Sequence, residues 1–85
     1  MNRIEILFGK NLTKILRFFF RHPNQTFYQD EIKFKNRLSH GTTRYELKKL
    51  VKARVLNIIP TSYKTFYSLN KKSTLYKHLS KIIKH

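Results

Sequence analysis

Apolar residues return at helical spacing over residues 11–22. Leu12, Ile15, Leu16, Phe19 and Phe20 share one face, and Lys14, Arg17 and Arg21 lie opposite. Phe18 falls well off that stripe and needs a second surface to pack on. Pro23 ends the helix, because a proline lacks the N–H that would continue the ladder. Upstream, Ile4, Leu7 and Phe8 mark an apolar patch on an N-terminal arm or short helix within residues 1–10.

The pattern then shortens. Phe27 and Tyr28 read as a brief extended piece, followed by a helix over residues 29–36. Ile32 is its clear core position, while Lys33 and Lys35 are not. Leu38 anchors a turn. Ser39 is a good N-cap, since its hydroxyl accepts a bond from an orphan N–H, and it predicts a helix from His40 to about Ala53. Thr43, Leu47, Leu50 and Arg54 fall along one side of this helix. Gly41, Thr42, Arg44, Tyr45, Lys48 and Lys49 fall along the other.

Residues 55–59 and 65–69 are strand-like runs, joined by a polar, basic hairpin tip over 60–64 that carries Tyr63 and Lys64. After a loop, Ser73 is placed to cap a last helix over 73–85. Its stripe is Leu75, Leu79, Ile82 and Ile83, with Tyr76 at the edge and Lys77, Lys81 and Lys84 opposite. The order is helix, helix, helix, hairpin, helix, with a short turn between the second and third. That is mainly α with a β-hairpin wing, the order of a winged helix-turn-helix. The 85 residues have room for one domain, 1–85, and show no internal repeat or low-complexity linker.

Composition adds the partner. Nineteen Lys and Arg face four acidic residues, a formal charge of +15. Such self-repulsion does not help a fold, and it points to a polyanion. Hydrophobic residues at 40% and aromatics at 14% exclude a disordered basic tail. There is no cysteine, and His22, His40, His78 and His85 are dispersed without carboxylates at ligand spacing. No metal and no cofactor are expected. The same scarcity leaves no acid–base pair or nucleophile constellation, so the chain does not read as an enzyme. The densest apolar run, residues 15–20, is interrupted by Arg17 and is far too short to span a bilayer. With no signal-peptide pattern, the expected location is cytoplasmic, on the nucleoid, and no membrane partner is expected.

Two motifs carry a family resemblance. Phe27-Tyr28-Gln29-Asp30-Glu31-Ile32 and Leu38-Ser39-His40-Gly41-Thr42-Thr43-Arg44-Tyr45-Glu46-Leu47-Lys48-Lys49-Leu50 stand before the two-strand hairpin. Together they resemble the small ArsR-like winged helix-turn-helix regulators of archaeal, viral and mobile-element type, over Leu12 through Leu69. The chain departs from the family pattern at Lys33, where a small residue is usual, at Lys35, where an apolar one is usual, and at His40, where proline is usual. The metal-binding cysteine and histidine sites of some relatives are absent, so metal sensing does not carry over. The resemblance implies a DNA-binding transcriptional regulator and a homodimer with terminal helices at its interface. The word "regulator" rests on it alone.

In this motif the second helix enters the major groove and its N-terminal residues reach base edges. Ser39 starts that helix, and Gly41 lets its backbone come close to the duplex. Thr42 bonds a phosphate or base edge, and Arg44 reaches guanine O6 and N7. Tyr45 offers a ring to a thymine methyl, and Lys48 and Lys49 neutralise phosphates. His40 meets a phosphate, as do Tyr28 and Gln29 at the preceding helix start. For Tyr28, partial core packing is the competing reading. Tyr63 and Lys64 touch backbone or minor groove, or form an ordinary exposed turn. A merely solvated face mixes signs, yet from Lys33 to Arg54 there are eight basic residues and only Glu46 opposes them.

Phe18 and the stripe of the last helix lack a cover in so small a domain. They pair within the protomer or across a two-fold axis. The dimer reading makes Phe18, Leu75, Leu79, Ile82 and Ile83 interface residues. Two other functional readings remain: nonspecific nucleic-acid binding, architectural or RNA-associated, and a protein-interaction module, which leaves the charge unexplained. A basic last helix on a membrane surface is a further alternative.

Overall fold

A computed structural model describes residues 3–83, with side chains from Glu5 to Ile82. The side chains of Ile4 and Ile83, and residues Lys84 and His85, lie outside the described residues. The elements are α1 (Arg3–Phe8), α2 (Lys10–Arg21), β1 (Phe27–Tyr28), α3 (Gln29–Asn36), α4 (His40–Lys52), β2 (Leu56–Pro60), β3 (Thr65–Leu69) and α5 (Thr74–Ile83). The leading segment is therefore a helix. Gly9 separates it from α2 at φ 84°, a left-handed conformation that glycine adopts without a Cβ penalty. The Gly9 carbonyl accepts the Thr13 hydroxyl at 2.7 Å, which satisfies that hydroxyl in its buried position.

The core is the α2 stripe packed on α3, α4 and the sheet. Leu12, Ile15, Leu16 and Phe19 meet Ile32, Leu47, Leu50, Val55, Leu56 and Leu69. The sheet has three antiparallel strands in the order β1-β3-β2. Phe27 stands opposite Tyr67 and Tyr28 opposite Phe66, while the hairpin runs in register from Leu56↔Leu69 to Pro60↔Thr65. Thr61 closes the hairpin by accepting the Lys64 N–H on its hydroxyl at 3.0 Å.

Phe18 is a correction to the interface expected from sequence. It is 8% exposed, and its ring centroid lies 4.5 Å from that of Phe27, with His22 and Phe19 edge-on. The second surface it needs is β1, inside the same protomer. Leu79 is likewise buried against its own core, and Tyr76 stacks on Phe20 at 5.3 Å. Phe18 and Leu79 thus pack within the protomer, one of the two arrangements the sequence leaves open. Leu75 and Ile82 stay exposed, as do Ile6 and Leu7 of α1. Ser73 caps α5 as its position predicts, accepting the Leu75 N–H at 3.2 Å.

Both α3 and α4 end in the same way. Arg37 and Arg54 are left-handed, at φ 54° and 63°. The Leu38 N–H reaches the Lys33 carbonyl, and the Val55 N–H reaches the Leu50 carbonyl, each at 3.0 Å. These are Schellman closures, in which the apolar residue after the left-handed one packs inward. Val55 is buried and Leu38 packs on the core. Glycine is the usual residue at the left-handed position; here arginine occupies it twice.

Candidate nucleic-acid interface

Arg37, Leu38 and Ser39 are all that separates α3 from α4. The Ser39 hydroxyl accepts the Thr42 N–H at 3.1 Å, and its carbonyl accepts the Thr43 hydroxyl at 2.8 Å. Capping thus sets where α4 begins and which way it rolls. Thr43, Glu46, Leu47 and Leu50 turn inward. His40, Gly41, Arg44, Tyr45, Lys48, Lys49 and Lys52 are exposed, and Thr42 is half-buried. A Cβ on Gly41 would meet nothing within 4 Å, so this end of the helix is open to close approach.

The start of α3 and the hairpin join that face. Gln29 Nε2 stands 3.5 Å from His40 Nδ1, bridging the two helix starts. The Tyr28 ring lies beneath Lys64, whose Nζ is 3.7 Å from the ring centroid, and Phe66 meets the same ring edge-on. The Tyr28 N–H donates to the Glu31 carboxylate at 3.1 Å, which organises the first turn of α3. The structure therefore gathers Tyr28, Gln29, His40 and Lys64 into one cluster. Tyr28 is half-buried and holds Lys64 by a cation–π contact. Tyr63 projects from the hairpin tip, 94% exposed.

Arg44 stands on the side of α4 toward the sheet. Burial pushes the Tyr67 phenol above its usual range, and the charge on Arg44 is near enough to oppose that shift. Lys49 stands on the opposite side and differs from Lys48. Its Nζ lies 2.8 Å from Glu46 Oε1 and 4.7 Å from the Tyr45 ring centroid. The close contact with the Glu46 carboxylate raises the Lys49 pKa. Lys49 is thus a paired cation that also steadies Tyr45, whereas Lys48 has no ion pair among the described residues.

The two acids of the first turn of α3 are engaged within that turn. Asp30 lies 3.9 Å from Lys33, and Glu31 faces the Tyr28 backbone. Glu46 is the only acid of α4 and is turned inward, so α4 and the hairpin present no exposed carboxylate. Sequence reasoning left Glu46, Phe66 and Tyr67 without a role. For Glu46 a signal was available: it falls between Thr43 and Leu50 at core spacing, three residues before a lysine. Among the described residues, no three His, Asp or Glu side chains gather as metal ligands. Among the same residues, no helix is long and apolar enough to cross a membrane.

The helix-turn-helix α3–α4, with α4 laid open and a hairpin beside it, defines a winged helix-turn-helix. Solved structures share this fold. AF1382 from Archaeoglobus fulgidus is 20% identical with a TM-score of 0.72, over 98% of this chain and 94% of that one. A possible transcriptional regulator from Methanosarcina mazei is 16% identical with a TM-score of 0.72, over 98% and 78%. Reduced HlyU from Vibrio cholerae is 18% identical with a TM-score of 0.66, over 82% and 72%. No protein-family model and no curated protein sequence matches the chain.

Proposed function

We propose that the protein is a sequence-specific regulator of transcription that binds double-stranded DNA. Helix α4 lies in the major groove, and the hairpin tip at 60–64 lies on the backbone or in the minor groove. The observation that carries this reading is the exposed face of α4. His40, Arg44, Tyr45 and Lys48 stand in the open, flanked by Lys64 and Gln29, with no exposed carboxylate among them. Positive charge on a helix able to enter the groove supplies phosphate contact, and Arg44 near its start supplies base readout. The likeness in fold to the possible transcriptional regulator from Methanosarcina mazei supports the biological role, and the ArsR-like motif supports the class.

The working unit in this reading is a homodimer. The exposed apolar side chains Ile6 and Leu7 of α1 and Leu75 and Ile82 of α5 support it. Two protomers would read half-sites one helical turn apart, roughly 34–36 Å. Location on the nucleoid follows from the same function. A pull-down of genomic fragments, sequenced and followed by competition against bulk DNA, tests the proposal. Enrichment of a shared site supports it, and uniform recovery of all fragments favours nonspecific packaging instead.

A further inference from the structure

A second basic surface lies away from the α4 face. Lys14, Arg17 and Arg21 follow one another along α2, and Lys35 and Arg37 come from the end of α3. Glu5 of α1, the one acid of the lining, joins them around a cleft of about 310 Å³. No residue of α4 or the hairpin contributes to it. The volume is at the lower end of small-ligand sites, about 300–1,000 Å³.

Three features separate this cleft from a merely solvated basic face. First, the five cations converge from two helices on a concavity, where like charges focus the field. The ion pairs that fix lysines elsewhere, Lys33–Asp30 and Lys49–Glu46, involve none of them. Second, Lys14 and Arg17 are half-buried, so their stems already lie against the protein and lose less freedom on binding. Third, Arg37 is held at φ 54°, where glycine would close α3 at lower backbone cost. The polar groups nearby are already engaged. The Asn36 amide donates to the Ile32 carbonyl, and the Thr13 hydroxyl to the Gly9 carbonyl. The cleft therefore offers an incoming anion guanidinium and ammonium donors.

We infer that this cleft binds closely spaced phosphate groups, separately from the α4 face. Three guanidinium groups favour bidentate recognition of phosphate oxygens, and two lysines add charge. The phosphates come from a free oligophosphate or from a nucleic-acid backbone reaching round the protein. Both sources present the same chemistry.

Titration calorimetry with inorganic tripolyphosphate tests this on the full chain, without DNA. Wild type is expected to bind one equivalent per protomer. Arg17→Gln/Arg21→Gln should weaken that binding at least tenfold, with circular dichroism unchanged. Arg44→Ala/Lys48→Ala should leave it within twofold of wild type. Repeating the titration on protein saturated with duplex separates the sources. Retained binding identifies a free oligophosphate, and lost binding identifies the duplex backbone. The inference is overturned if tripolyphosphate does not bind, or if the two double variants weaken it equally. Equal weakening would mean that diffuse charge, not the cleft, holds the anion. Should Arg17→Gln/Arg21→Gln unfold the chain, Lys35→Gln/Arg37→Gly supplies the same test from α3.

Discussion

Glu46 Oε1 lies 2.8 Å from Lys49 Nζ, and the carboxylate is nearly buried while the ammonium is not. One acid of α4 therefore neutralises one lysine of the face expected to meet DNA. Replacing Glu46 with Gln frees that charge. The slope of log K against log salt should steepen by about one for duplex binding. Lys49→Ala should change the slope by less than Lys48→Ala does, and should lower stability by about 1 kcal/mol because it strands a buried carboxylate. Anisotropy titrations across a salt series check the slopes. Equal slopes for Lys48→Ala and Lys49→Ala would contradict the pairing.

Phe18 belongs to the protomer core beside Phe27, so Phe18→Ala should cost about 3 kcal/mol in chemical denaturation. It should not change the oligomeric state of the protein that remains folded. Ile82→Asp acts on an exposed position of α5 and should leave the fold intact while shifting sedimentation to the monomer. A wild-type protein that sediments only as a monomer at micromolar concentration would remove the dimer.

The two left-handed arginines give a stability prediction of unusual sign. Arg37→Gly and Arg54→Gly relieve a backbone conformation that disfavours a Cβ, and each removes one charge from a chain at +15. Each should raise stability by about 0.5 kcal/mol, the relief of left-handed strain less the extra entropy of glycine in the unfolded chain. Thermal melts check it. Destabilisation in both variants would show that the arginine side chains contribute more than their backbone costs.

Alkaline pH should destabilise the fold. Burial raises the Tyr67 pKa above its usual 10.0, and the ion pair with Glu46 raises that of Lys49 above its usual 10.5. A raised folded-state pKa leaves stability fully present below the unfolded value and removes it as pH climbs through the folded one. The melting temperature should therefore fall above about pH 10. Tyr67→Phe should flatten part of that fall. An unchanged slope in Tyr67→Phe would assign the loss to other groups.

What the sequence made legible follows the range of the interactions. The α2 stripe and the Ser39 cap are local, and both appear where spacing and side-chain chemistry put them. The α3 pattern looked weak because the helix buries only Ile32. Lys33 reaches Asp30 and the Phe34 ring instead of the core, and Phe34 stays exposed. Phe18 was misplaced because its partner, Phe27, is brought to it only by the pairing of β1 with β3. That pairing links residues some forty positions apart, and no periodicity reveals it. The gathering of Tyr28 with Lys64 depends on the same strand pair. The face of α4 was legible in outline, but the neutralisation of Lys49 required knowing that Glu46 turns inward.

In the proposed function, α4 reads base sequence through Arg44. Competition binding with a selected duplex, a panel of single base-pair variants of it, and bulk DNA measures this directly. Wild type should prefer the selected duplex over bulk DNA by about 10³ or more. Arg44→Ala should lose about 1–3 kcal/mol of discrimination at one base pair and keep its affinity for bulk DNA, whereas Lys48→Ala should weaken all duplexes alike. A wild-type protein that binds selected and bulk DNA equally, or an Arg44→Ala variant that weakens every duplex by the same factor, would contradict it.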